Sequence, residues 1–134
     1  IINFENDKTK SIFELALIQE ISGRLKFRYE DLKPLKGITK ECIAFGSYID
    51  LKKQPNDLDI LFILDKEEFK LYKEKSSQIY KTIPAKVHDI LQTEEDFKEN
   101  IKNKDKVVIE ILRTGIILWG HKKIIDLIEN GYKR

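Results

Sequence analysis

Two aspartates begin the most apolar segment of the chain, residues 57–64, and they are the first candidates for chemistry. Because side chains alternate along a strand, Asp57 and Asp59 are expected on the same face, with Cα atoms about 6.6 Å apart. Two carboxylates on one face repel each other unless a cation lies between them. Mg²⁺ binds through one or two carboxylates together with phosphate oxygens. The pattern therefore indicates a site for a metal-bridged nucleoside triphosphate.

A second candidate feature is the Gly46-Ser47 pair, which follows the short apolar run 41–45. Glycine lets the backbone approach a ligand closely, and a helix starting there would direct free N–H groups at a phosphate. The Ser47 hydroxyl can add one hydrogen bond. Asp89, in a strand placed beside the Asp57 strand, would complete a three-carboxylate site for two metal ions ~3.5–4 Å apart. Such a pair of ions activates an attacking oxygen and stabilises a leaving one.

The elements that must position these residues alternate between strands and helices, which predicts an α/β or α+β fold. We expect a mixed sheet of three to five strands flanked by helices. Asp65 with Glu68, and Thr93 with Asp96, resemble capping boxes at helix starts. The predicted strands are 41–45, 57–64, 86–91 and 116–119, and the predicted helices are 8–31, 65–82, a helix from 93, 105–113 and 120–130.

Composition excludes several other classes. The chain has 134 residues, with 25 Lys+Arg against 23 Asp+Glu, so its net charge of +2 gives no strong nucleic-acid signal. The single cysteine, Cys42, cannot form an internal disulfide, and no apolar run approaches the ~18 residues of a membrane span. Two His and one Cys are too few for a standard zinc site. We therefore expect a cytoplasmic, soluble protein with no membrane partner.

The spacing of the candidate residues also resembles a known family. Gly46-Ser47, nine further residues, Asp57-Leu58-Asp59 and a later Asp89 are similar to the motif of the polymerase-β-type nucleotidyltransferase superfamily. The small size resembles its minimal members, the MNT domains, and the stretch 110–120 is similar to the segment that closes them. The resemblance implies a single minimal nucleotidyltransferase domain over residues 1–134, with 1–37 as an N-terminal helical extension.

Carried onto this chain, the resemblance implies a role for each residue of the motif. Gly46 and Ser47 would bind the triphosphate, and Asp57, Asp59 and Asp89 would hold two Mg²⁺ ions, with Asp89 also a candidate general base. The implied reaction transfers AMP from ATP to a hydroxyl and releases pyrophosphate. For the MNT group the implied acceptor is a tyrosine of a partner HEPN-type toxin, which makes the enzyme an antitoxin.

One departure from the family motif keeps other interpretations open. The family often continues Gly-Ser with Tyr or Arg and then Ala-Arg-Gly; Tyr48 fits, but Ile49, Asp50 and Leu51 replace the last three. An acid thus replaces a basic residue, which weakens phosphate neutralisation. The alternatives are a catalytically weak antitoxin that neutralises its toxin by binding alone, and a nucleotidyltransferase with a small-molecule acceptor. His88, turned away from Asp89 by strand alternation, is expected to be a packing or surface residue.

Overall fold

Four strands form one mixed sheet in the order β3-β2-β1-β4. The computed structural model describes residues 24–49 and 57–132. β1 is antiparallel to both of its neighbours, whereas β2 and β3 are parallel. The strands are β1 (Glu41–Phe45), β2 (Asp57–Ile63), β3 (Lys86–Gln92) and β4 (Ile116–Trp119). The four predicted strands are confirmed, and their number lies within the predicted range.

Helices cover both faces of this sheet, which confirms the predicted α+β class. In the described residues they are α1 (Arg24–Leu32), α2 (Phe69–Tyr80), α3 (Glu94–Lys102), α4 (Lys106–Thr114) and α5 (His121–Tyr132). Short 3-10 turns lie at Lys33–Leu35, Gly46–Ile49 and Lys66–Glu68. The predicted helix over 8–31 falls largely outside the described residues, and α1 begins within its last part. No helix of the described segments is long and apolar enough to cross a membrane.

The inner strand β2 is buried on both faces. Its side chains point alternately to the two faces of the sheet, and each face packs against its own hydrophobic core. Leu61 and Ile63 lie in the first core, which α3, α4 and α5 cover. Leu58, Ile60 and Phe62 lie in the second core, which α1 and α2 cover. A strand flanked by helices on both faces is expected to be apolar almost throughout, as β2 is after Asp59.

The two predicted capping boxes have different outcomes. At α3 the box is present: the Asp96 amide donates to Thr93 Oγ1 and the Thr93 amide donates to Asp96 Oδ2, both at 3.1 Å. At Asp65 the prediction is wrong, because its side chain caps no helix. The Asp65 carboxylate instead lies 3.0 Å from Lys40 Nζ. A 3-10 turn ending at Glu68 then precedes α2. A long-range ion pair has thus replaced the local cap.

Glu41 is an acidic residue enclosed in the protein at the start of β1. Its side chain is fully buried, and neither carboxyl oxygen has a hydrogen-bond partner within the described segments. Burial raises the pKa of Glu41 from 4.5 to about 8, with a further increase from the nearby Glu94 and an opposing effect from Lys40 and Lys123. At neutral pH the native protein therefore holds Glu41 in its protonated form.

We expect the free energy of unfolding to fall as pH rises from about 5 to 8, by on the order of 1 kcal/mol per pH unit from Glu41 alone. Over this range the unfolded chain loses the Glu41 proton while the native protein retains it, so higher pH favours unfolding. Glu41→Gln removes this contribution. Urea unfolding at pH 5.5 and pH 8.5 should show a smaller loss of stability for Glu41→Gln than for the wild type.

The matched control is Glu110→Gln, at an exposed position of α4. This variant should keep the pH dependence of the wild type. Equal pH dependence in Glu41→Gln and the wild type would contradict the assignment of a neutral, buried Glu41.

Candidate active site

Asp57 and Asp59 lie at the start of β2 on the face that carries the first core, as the sequence predicted for the pair. Along this strand they share the orientation of Leu61 and Ile63, which pack in the first core. Both aspartates are only partly buried, and the Asp57 side chain is 50% exposed. The apolar part of β2 therefore anchors the strand, and its first residues present two carboxylates to solvent. This surface is called the site face below.

Gly46 ends β1 directly beside Asp59. Phe45, the last residue of β1, is the register partner of Asp59, so the chain turns at the level of that carboxylate. Gly46 has φ +76, and a Cβ built on it would clash with Asp59 Oδ2. Both facts require glycine, because other residues disfavour positive φ and would displace the carboxylate. The structure thus brings Gly46 and Asp59 together, as predicted from the motif.

Ser47 follows within the 3-10 turn Gly46–Ile49, where it is half-buried. A helix starting at this pair was considered in the sequence analysis above, and the described part of the stretch is a single 3-10 turn. A phosphate bound there would contact the amides of this turn and the Ser47 hydroxyl.

The parallel pairing of β2 with β3 determines which side chains lie beside the carboxylates. Lys86 is the register partner of Asp57, and His88 is the register partner of Asp59. His88 Nε2 lies 3.6 Å from Asp57 Oδ2, with 47% of the His88 side chain exposed. A basic residue thus lies opposite each aspartate. His88 is a surface residue on the face opposite Asp89, as expected, and this face is the site face.

Asp89 lies on the opposite face of the sheet, so the structure does not bring it to the other two aspartates. Its register partner is Ile60, which packs in the second core, and Asp89 shares the orientation of Val87 and Leu91, which pack there too. The prediction that the three carboxylates converge is therefore wrong in this register, because Asp89 lies on the other face. Strand alternation allows either His88 or Asp89 on the site face, and the pairing selects His88.

A tyrosine network holds Asp89 in its observed position. The Tyr72 hydroxyl donates to Asp89 Oδ2 at 2.7 Å, and it also contacts the Tyr80 hydroxyl. Burial, reinforced by Tyr80 and Asp89, raises the pKa of Tyr72 above its usual range, and burial also raises the pKa of Tyr80. Tyr72 therefore stays protonated and keeps its donor proton. Asp89 thus connects β3 to α2 by a hydrogen bond, and this structural role needs no ligand.

The donor set on the site face fits one divalent cation better than two. Within 24–49 and 57–132, no three His, Cys, Asp or Glu side chains are arranged to hold a metal ion. Asp57 and Asp59 supply the oxygen ligands that Mg²⁺ prefers, and phosphate oxygens of a bound nucleotide would complete its coordination. The predicted second ion lacks its third carboxylate here.

Sequence analysis missed Lys86 and His88 as neighbours of the carboxylates. Its alternation argument correctly placed His88 and Asp89 on opposite faces. The sequence does not show which of these two residues lies on the face of Asp57 and Asp59, because β3 has apolar residues facing both cores. Ile90 packs against the first core, and Leu91 packs against the second. Only the register between β2 and β3 decides it.

The mixed sheet with helices on both faces defines an α+β fold, in which a glycine turn lies beside two strand carboxylates. The model of one protein family, described as a nucleotidyltransferase domain, matches residues 18–118. The match spans most of the chain, which therefore belongs to the nucleotidyltransferase domain family. This confirms the resemblance and the nucleotidyltransferase fold. Comparisons with curated proteins and with solved structures gave no significant match.

The glycine requirement predicts a specific effect of Gly46→Ala. Positive φ at a non-glycine residue costs about 1–2 kcal/mol, and the new methyl group must displace the Asp59 carboxylate. We expect urea unfolding to show a loss of at least this size, and calorimetry to show weaker binding of Mg²⁺ with a non-hydrolysable ATP analogue. Gly37→Ala is the control, because a Cβ there meets no atom within 4 Å. Similar losses in the two variants would contradict this argument.

The placement of Asp89 predicts that Asp59→Asn and Asp89→Asn differ sharply in metal–nucleotide affinity. Asp59→Asn should weaken binding of Mg²⁺ and the ATP analogue by at least about tenfold, since even the outer partners of a metal are worth about 10–100-fold. Asp89→Asn should leave this affinity unchanged, because asparagine still accepts from Tyr72 on the other face. Calorimetric titration measures both. An equal loss in Asp89→Asn would place that residue in the site after all.

Proposed function

We propose that this chain is a Mg²⁺-dependent nucleotidyltransferase that transfers AMP from ATP to a hydroxyl group and releases pyrophosphate. The main support is the contact between the Gly46 turn and the Asp59 carboxylate. This contact places backbone that can bind phosphate next to an acid that would repel phosphate. The two are compatible in one site when a cation lies between the carboxylate and the phosphate, which is the arrangement of a metal-bound triphosphate.

In this proposal each residue of the site face has a defined task. Gly46 and Ser47 bind and orient the triphosphate through backbone amides and the hydroxyl. Asp57 and Asp59 hold the cation, whose positive charge when bound offsets the negative charge of the phosphates. The acceptor oxygen forms a bond to the α-phosphorus while the bond to pyrophosphate breaks, and the hydroxyl proton passes to solvent.

The acceptor that we propose is a tyrosine hydroxyl of a partner HEPN-type toxin, so that the chain acts as an antitoxin. The resemblance to MNT domains supports this choice. The half-exposed position of Asp57, at the start of β2, is compatible with it, because a hydroxyl presented on another protein's surface can approach an exposed carboxylate. A deep acceptor cavity is not needed for such a substrate.

The position of Asp89 favours a second candidate function, neutralisation of the toxin by binding alone. The described residues place no third carboxylate beside Asp57 and Asp59, so they offer fewer groups to activate an acceptor. A nucleotide-binding domain with weak transfer activity would still present the same surface to a partner. The two candidates differ in whether modification of the partner is needed for neutralisation.

The distinguishing experiment incubates the protein with ATP labelled at the α-phosphate, Mg²⁺ and the folded partner toxin. We expect label on the partner and none when Asp57 and Asp59 are both changed to Asn. The control is Asp89→Asn, which removes one acidic charge on the other face and should retain labelling. A partner variant with phenylalanine at the modified tyrosine should take up no label.

Toxin neutralisation measured in the same samples completes the test. Loss of neutralisation together with labelling in the double variant supports the transfer reaction. Full neutralisation by the double variant, with no label in the wild type, would replace the first proposal by the second.

A further inference from the structure

Two aspartates of β2 and a lysine and a histidine of β3 form a two-by-two block across the two strands. Lys86 lies opposite Asp57, and His88 lies opposite Asp59. Paired residues of neighbouring strands are about 4.8 Å apart, so all four side chains belong to one small surface. The 3.6 Å separation of His88 Nε2 from Asp57 Oδ2 shows that the two strands interact there through their side chains.

The packing of β3 on both faces fixes its register against β2. Ile90 lies two residues beyond His88 and packs against the first core, whereas Val87 and Leu91 pack against the second. A one-residue slip would place His88 on the other face, but it would also exchange the apolar side chains between the cores. Tyr72 further holds Asp89 on the second face by its hydrogen bond. The position beside Asp59 therefore belongs to residue 88.

Charge at this position limits how many cations the site can hold. Two ions at a separation of ~3.5–4 Å need carboxylates to offset their mutual repulsion, and the described residues place two carboxylates, Asp57 and Asp59, on the site face. The β3 side of the block contributes a lysine and an imidazole in place of a third acid. These groups add no negative charge, and the Lys86 ammonium repels a second cation.

We propose, on the basis of the proposed function, that this site binds one divalent cation with its nucleotide, and that His88 occupies the place of the third carboxylate that a second ion needs. Residue 88 is then the specificity-determining position for the number of ions. The inference predicts that one substitution at residue 88, with no other change, creates the second cation site.

The test counts Mn²⁺ ions bound to the protein at saturating non-hydrolysable ATP analogue, by equilibrium dialysis with electron paramagnetic resonance. The wild type should bind one ion per chain. His88→Asp should bind two, with the line broadening that two close Mn²⁺ ions produce. His88→Asn is the matched control, since it has the size of Asp without the charge, and it should bind one.

A second measurement guards against a poorly folded His88→Asp variant. Three carboxylates on one face repel each other in the absence of metal, so its melting temperature without metal should lie below that of His88→Asn. Added Mn²⁺ and nucleotide should raise it by more than they raise the control, because ions that bind only the native state stabilise it. The half-exposed position of His88 allows either substitution sterically.

Each outcome decides the inference. Two ions in the wild type would overturn it while leaving the proposed nucleotidyl transfer intact. One ion in a folded, nucleotide-binding His88→Asp variant would also overturn it, since residue 88 would then not be the missing ligand position. Failure of all variants to bind Mn²⁺ with nucleotide would overturn both this inference and the proposed function.

Discussion

The parallel pairing of β2 with β3 is the constraint on which the rest of the site depends. It places His88 beside Asp59 and sends Asp89 to the opposite face, where Tyr72 donates to it. A one-residue shift of β3 against β2 would reverse both placements. It would also move each apolar side chain of β3 from its own core to the opposite one. The hydrophobic packing of Ile90 and Leu91 on opposite faces therefore also determines the electrostatics of the site. In this protein the position of charged groups follows from the burial of their uncharged neighbours.

The second constraint is the turn at Gly46, where backbone and carboxylate are in contact. The positive φ and the absence of a side chain let β1 end against Asp59, far along the chain from Gly46 itself. This contact brings the backbone of the turn against the Asp59 carboxylate without any intervening side chain.

Three acidic residues of this chain lie in very different environments. Asp57 lies half-exposed beside His88, Asp89 accepts a hydrogen bond from Tyr72, and Glu41 is enclosed without a hydrogen-bond partner in the described part of the chain. Asp57 lies on the site face, whereas Asp89 is exposed on the opposite face of the sheet, so only Asp57 can join Asp59 in one site. Residue type alone therefore selects candidates, and the environment decides among them. The two carboxylates that the described residues place on the site face are the physical basis of the one-ion proposal.

The sequence by itself determined the strands, most helix positions and the pair Asp57 and Asp59, because these depend on local alternation and on runs of apolar residues. It also determined the family, through the spacing of Gly46 and the aspartates. Only the tertiary structure decided that His88 and not Asp89 joins them, and that Asp65 pairs with a distant lysine instead of capping a helix. Both decisions depend on which segments meet in space. Alternation along a strand shows which of its side chains share a face. Which side chains of a neighbouring strand lie on that same face is determined only when the two strands pair.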